Sequence, residues 1–328
     1  MKQILWFRRD LRIEDSAILA FSKGEVLPIF IFDKNILEKL PNDDKRVSFI
    51  YKSVINLKNK LKEIGLDLAI FYGKPKDVFE KLLLKNHYDS VFCSCDFDNY
   101  AINRDKEIEK LVPMERYYDS FLIHPLNALK SDKTPYKVFT PFYKSLKPLY
   151  ESGTIGEYEV NKNIKLIDFD YESFPSLNSI GFEEQELPSF LYKSGFELLD
   201  QFKEKIETYE NNRDYFYKDA TSKLSVHLRF GIISPKQIFN EVRALKDSDY
   251  FIRELFWREF YNYILYHFPK SEFENFNGKD IKWNEDKDKF QAWCEGKTGV
   301  PIIDAAMRYL NPNYAIENYK IIKSYKID

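Results

Sequence analysis

At 328 residues the chain is long for one ordinary domain and suits two, and a hydrophobic content of 44% supports packed cores rather than wholesale disorder. The net charge of −2 argues against a protein that coats nucleic acid nonspecifically, but not against a local basic patch. No apolar run approaches the roughly 18 residues of a membrane span, and three cysteines and four histidines offer neither a disulfide framework nor metal spacing. The opening MKQILWFRRD breaks into charge too early for a signal peptide, so a cytoplasmic protein is expected.

In chain order, residues 4–7 and 26–32 read as buried strands, the second ending at Asp33. Residues 46–64 carry Val47, Ile50, Val54, Leu57 and Leu61 at helical spacing, and Gly65 is placed to cap that helix. A strand over 66–72, a helix over 76–86, a strand over 90–95, a helix over 104–111 and a strand over 116–122 follow. Cys93 and Cys95 alternate along their expected strand and read as small buried hydrophobes sharing one face. Strands separated by helices of this length predict a parallel, doubly wound sheet with right-handed crossovers. No G-x-G-x-x-G follows the first strand, so a standard dinucleotide fingerprint is absent.

Periodicity weakens over 126–187, where Pro135, Pro141, Pro148 and Pro175 mark a long connection with a short helix near 142–150. Helical patterns then cover 195–209, 236–245, 250–266, 287–295 and 302–310. The expected organisation is an α/β domain over 1–125, an interdomain linker over 126–187 and an all-α domain over 188–328.

Two segments carry chemistry by residue type. In TSKLS, residues 221–225, hydroxyls and exposed backbone amides precede a helix with little acidic charge, and such donors satisfy phosphate oxygens. An isolated Thr-Ser pair, however, reads first as a helix N-cap. RELFWREFY, residues 253–261, mixes Trp, Phe and Tyr with two Arg and two Glu, an unusual content for a buried helix. Glu254 and Arg258 stand four apart and also suit an intrahelical salt bridge. Arg8, Arg9, Asp10 and Arg12 read as a structural ion-pair cluster after the first strand.

These segments, with WFRRDLRIEDSAIL at 6–19, TPYKVFTPFY at 134–143, TSKLSVHLRFGIISP at 221–235 and WCEGKTGVPIIDAAMRYL at 293–310, resemble the DNA photolyase/cryptochrome family. Within it, the chain most resembles class I cyclobutane pyrimidine dimer photolyases. The resemblance implies FAD as cofactor, with Tyr209, Thr221, Ser222, Lys223, Leu224, Ser225 and Arg258 as flavin-binding residues. It implies UV-damaged DNA as partner, the dimer being flipped into a pocket where Trp257 forms a platform and Glu254 bonds the bases. Asn318 in YAIEN matches an asparagine beside the flavin, and Trp283 the outermost tryptophan of an electron relay. The implied reaction is light-driven dimer repair by electron transfer from reduced FAD, carried out by a monomer without metal. Histidines typical of (6-4) repair have no equivalent pair. Some relatives carry an antenna chromophore, a folate or a deazaflavin; Arg104 stands where folate-binding members carry a glutamate.

After Leu310 the sequence leaves the family pattern and ends in NPNYAIENYKIIKSYKID. The expectation is a C-terminally truncated member, from a frameshifted or prematurely stopped gene, with an incomplete flavin cage. The alternatives are a cryptochrome-like blue-light receptor, an inactive truncated remnant, or a nucleotide-binding α/β module without photochemistry.

Overall fold

The computed structural model describes residues 1–310 except 154, 277, 279–281 and 283. Five strands, β1 (Lys2–Phe7), β2 (Glu25–Asp33), β3 (Ala69–Gly73), β4 (Ser90–Ser94) and β5 (Met114–Tyr117), form a parallel sheet in the order β3-β2-β1-β4-β5. A two-residue strand, β6 (Lys165–Leu166), pairs with the start of β2. The helices α1 (Ala17–Phe21), α2 (Lys34–Leu37), α3 (Lys45–Glu63), α4 (Pro75–Lys85) and α5 (Asn99–Glu109) alternate with these strands. Successive side chains enter opposite layers. Leu5, Phe7, Phe30 and Phe32 meet α3 through Val47, Val54, Leu57 and Leu61. Ile4, Trp6, Ile29 and Ile31 meet α4 and α5 through Val78, Phe79, Leu82 and Ile108. Burial on both faces is why these strands read as continuous apolar runs.

Several boundaries differ from the sequence reading for local reasons. β3 begins at Ala69, not 66, because Leu66 N–H bonds back to Leu61 O (2.9 Å) around Gly65 at φ +79°, a helix-ending turn that takes the first residues out of the ladder. β5 ends at Tyr117, and the chain then turns so that Asp119 reaches Ala17 N at 3.0 Å. α5 starts five residues before the expected 104 because Asp98 accepts from Ala101 N at 2.7 Å and caps it there. Cys93 and Cys95 are both buried but do not share a face: Cys93 packs with Trp6, whereas Cys95 lies past the strand end with Phe97 and Phe121.

The connection over 126–187 is packed rather than free. Its helix α6 (Phe139–Glu151) joins a separate helical core through Phe139, Phe142, Leu146 and Tyr150. Further along, Ile167 and Tyr171 cover one face of the sheet, while Leu177, Ile180 and Phe182 cover the other. The helical core is completed by α7 (Gly195–Lys203), α8 (Tyr209–Asn212), α9 (Ser225–Arg229), α10 (Pro235–Val242) and α11 (Asp249–His267). The expected helix over 195–209 is broken after Lys203 by tight turns, and Tyr209 packs edge-on to Phe202 and Phe251.

Met1–His267 forms one compact unit, and a second begins at Phe268. The second contains α12 (Lys287–Cys294) and α13 (Pro301–Leu310). Its turn is tied by Asp304, which accepts from Thr298 N (2.7 Å), Thr298 Oγ1 (2.6 Å) and Gly299 N (3.0 Å).

Candidate functional site

A cavity of about 480 Å³ opens in the first unit, where the loops after β1 and β4 face α9 and α11. From the sheet side come Arg9, Cys95, Asp96, Ser120 and Phe121. The helical side supplies Tyr209, Ser222, Ser225, Leu228, Arg229, Phe251, Glu254, Leu255, Arg258 and Asn262. Five residues that the resemblance assigns to the flavin or the lesion therefore share one cavity: Tyr209, Ser222, Ser225, Glu254 and Arg258. Thr221 and Lys223 instead line an adjoining recess of about 150 Å³, with Ser222 facing both spaces. Leu224 is buried in the helical core. Trp257 is outside the cavity lining and stacks on Phe139, with centroids 3.6 Å apart and planes 8° apart. Trp283 and Asn318 lie outside the described residues.

The loop before α9 is held in an uncommon backbone state. Asp219 and Lys223 have φ of +45° and +56°, and their side chains pair at 2.7 Å. Non-glycine residues in this left-handed region carry strain, a frequent companion of ligand-binding loops. Ser222 Oγ accepts from Leu224 N at 3.4 Å, which leads the chain into α9.

The cavity is rich in guanidinium groups. Partial loss of hydration among the cavity side chains, then repulsion from Arg9, lowers Arg229 to about 10 although the residue keeps solvent exposure, and desolvation likewise lowers Arg258. Arg9 pairs with Asp96 (3.0 Å) and Asp98 (3.3 Å). Arg258 Nη1 donates to Ser120 O (2.9 Å) and to Glu259 Oε1 (3.0 Å). The Glu254–Arg258 bridge that the spacing also suited does not form: Glu254 pairs with Arg213 from the turn after α8. Ser120 Oγ is buried at the cavity wall without a hydrogen-bond partner among the described residues. An unpaired buried hydroxyl is costly unless a ligand completes it. Clustered guanidinium groups, serine hydroxyls and an apolar wall of Leu228, Phe251 and Leu255 suit a large phosphorylated aromatic compound, so the residues present fit a flavin dinucleotide.

Ser120, Arg229 and Glu259 were not singled out as site residues in the sequence, and Arg9 was read there only as part of a structural ion-pair cluster. Arg229 and Glu259 each lie inside a quoted motif, whereas Ser120 had no local signal. The mixed-charge loop Arg8–Arg12 does form ion pairs, though with distant partners: Arg8 with Asp105 (2.6 Å) and Arg12 with Asp119 (3.4 Å). Arg104 lies over Trp6, 4.8 Å from the ring centroid.

Comparison with known proteins agrees with this arrangement. The family model for DNA photolyase matches residues 3–156, and that for the FAD binding domain of DNA photolyase matches residues 251–319. The deoxyribodipyrimidine photo-lyase of Halobacterium salinarum is 30% identical over 350 residues, covering 96% of this chain and 72% of the relative. That of Alkalihalophilus pseudofirmus is 29% identical, covering 93% and 68%. Among solved structures, a class III photolyase from Agrobacterium tumefaciens aligns with a TM-score of 0.78 at 26% identity, over 99% of this chain and 72% of its own. An archaeal photolyase from Sulfolobus tokodaii, solved with two FAD molecules, aligns with a TM-score of 0.79 at 25% identity, over 98% and 75%.

Proposed function

The chain belongs to the DNA photolyase/cryptochrome family, and we propose that it repairs cyclobutane pyrimidine dimers in DNA by light-driven electron transfer, with FAD as cofactor. The observation carrying this reading is the single cavity that joins the serines and Arg229 of the segment around α9 to Glu254 and Arg258 of α11. When bound, reduced FAD supplies the light-excited electron that opens the dimer and is then returned.

The protein's own part is to bind, orient and exclude water. Ser222, Ser225 and Arg229 offer donors to the diphosphate, with Thr221, Lys223 and Leu224 shaping the loop that presents them. Tyr209 and Arg258 close the sides. Glu254 presents carboxylate oxygens to base N–H edges once Arg213 yields, and Trp257, backed by Phe139, offers its ring to the flipped bases. Asn318 and Trp283 keep the flavin-side and electron-relay roles that the resemblance implies. The Glu254–Trp257 pair favours dimers over (6-4) photoproducts. We assign residues 1–125 to an α/β domain, 126–187 to the linker and the rest to the flavin domain, and infer a cytoplasmic monomer without metal; no helix among the described residues is long and apolar enough to cross a membrane.

The test is a visible spectrum of the purified chain with released FAD quantified, followed by illumination with an oligonucleotide carrying one thymine dimer. Near one FAD per chain and light-dependent loss of the dimer are expected. Bound FAD with no repair would overturn the enzymatic reading in favour of a cryptochrome-like receptor.

A further inference from the structure

Next to the cavity, residues 213–218 form a turn in which the rings of Tyr215 and Tyr217 face solvent. Tyr215 is 52% exposed and Tyr217 is 82% exposed. Single exposed tyrosines are ordinary, but these two are organised as a pair. Their rings meet edge to face, with centroids 6.0 Å apart at 66°. Lys218 Nζ lies 4.7 Å from the Tyr215 centroid and 6.0 Å from that of Tyr217. The same ammonium donates to Asn212 Oδ1 at 2.7 Å, which ties it to the end of α8. Backbone bonds from Tyr215 N to Asn212 O (3.0 Å) and from Lys218 N to Tyr215 O (2.9 Å) close the turn. The rings are thus held outward on a bonded frame.

The turn is anchored at the cavity rim by Arg213. Its guanidinium pairs with Glu254 and lies 5.7 Å from the ring centroid of Tyr209, and both of those residues line the cavity. Asp214, with a side chain 85% exposed, offsets Arg213, and Asp219 is paired with Lys223. The patch therefore carries little surplus positive charge for phosphates. Its distinguishing asset is two aromatic faces with a cation against them, the equipment of surfaces that stack unpaired bases.

We propose that Tyr215 and Tyr217 stack on an unpaired nucleobase of the damaged DNA, next to the point where the lesion leaves the duplex. Extruding a dimer leaves bases of the opposite strand without partners, and those bases present free ring faces. The inference rests on the repair reading above and extends it from the lesion to its unpaired neighbours.

The experiment uses the full chain in the dark. Fluorescence anisotropy gives affinities for a duplex with one thymine dimer, the same duplex undamaged, and an undamaged single strand, at several salt concentrations. Tyr215→Ala/Tyr217→Ala should weaken binding to the dimer duplex and the single strand by roughly tenfold or more. The salt slope should stay unchanged because no phosphate contact is lost. Tyr215→Phe/Tyr217→Phe should bind like the parent, since stacking needs the ring and not the hydroxyl. Circular dichroism and FAD content, read alongside, should match the parent in all variants. Equal binding by parent and double alanine variant overturns the inference, as does a loss accompanied by a shallower salt slope. A parent that does not prefer the dimer duplex to the undamaged one overturns the repair reading itself. In that case, weaker single-strand binding by the alanine variant still supports stacking.

Discussion

Glu259 on α11 accepts a hydrogen bond from the backbone N–H of Leu122 at 3.0 Å, joining the helix to the segment that follows β5. Its other oxygen accepts from Arg258, which also holds Ser120 O, so one buried carboxylate sets both a cavity arginine and the cavity wall. Burial outweighs these donors and pushes Glu259 from 4.5 up to about 7. With a folded value above the unfolded one, its contribution to stability is full below pH 4.5 and is lost as pH rises to about 7. The loss is about 3 kcal/mol at order-of-magnitude level. Glu259→Gln should flatten the upper part of this decline, while Arg258 loses its ionic partner and FAD retention falls. Thermal midpoints from pH 4.5 to 8, read with FAD content, check both. A variant with the parent's slope between pH 6 and 7 would refute the assignment.

Asp10 and Asp119 share the hydroxyl of Ser94, whose Oγ lies 2.6 Å from Asp10 Oδ2 and 2.7 Å from Asp119 Oδ1. A hydroxyl has one proton to donate, so the second contact needs a proton on a carboxyl group. Burial and then the Asp119 charge raise Asp10 from 3.8 to about 6, in keeping with that proton. The sign is as for Glu259: stability from this site is full below pH 3.8 and lost as pH rises through about 6. Asn fits the same bonds, its oxygen accepting from Arg8 N and its amide donating to Ser94. Asp10→Asn is therefore expected to raise the thermal midpoint at pH 7.5 by a few degrees. It should leave the midpoint at pH 4 almost unchanged. Destabilisation at pH 7.5 would refute this, because it would mean that the ionised Asp10 carboxylate stabilises the fold through Arg8 N and Ser94.

The strands were legible because Ile4–Phe7 and Ile29–Phe32 are buried on both faces, and α3 because Gly65 ends it at the expected residue. The cavity was legible only where motif residues line it. Glu254 finds Arg213, 41 positions earlier, rather than Arg258 on its own helix, and no helical spacing announces such a partner. Ile167, Tyr171, Leu177 and Ile180 cover the sheet from a segment without periodicity, because each is held by distant elements rather than by its neighbours. Ser120 and Arg229 join the site only once β5 and α9 are in place.

Gly231 makes the contact between the end of the sheet and the segment leaving α9. It sits at φ +63°, and a Cβ there would lie 2.7 Å from Asp10 Cα and overlap the Arg9 carbonyl. Leu11 N donates to Phe230 O at 3.1 Å, and Arg12 Nη1 to Gly231 O at 3.2 Å, so this contact is closely bonded. Gly231→Ala meets the left-handed penalty of about 1 kcal/mol and must also displace backbone. Displacement moves α9 and with it Ser225 and Arg229. We expect FAD loss well out of proportion to the fall in thermal midpoint. A variant that keeps both FAD and midpoint would show that the contact can relax without disturbing the cavity.

Phe139 and Trp257 are stacked face to face, and Tyr143 lies on the same column, 5.6 Å from Phe139 at 16°. One face of Trp257 is thereby committed to α6, which fixes the ring before any base arrives. Phe139→Leu keeps most of the buried volume at a cost of about 1 kcal/mol but removes the aromatic backing. An aromatic pair is worth about 0.5–1.5 kcal/mol, so affinity for a dimer duplex should fall by roughly twofold to tenfold. FAD content should not change, because Trp257 is outside the cavity lining. Under saturating DNA the light-driven rate should approach the parent's, since the defect lies in positioning the bases. Unchanged affinity would mean that Trp257 is held by its own helix, with Tyr261 at 5.8 Å, and that Phe139 only fills the core.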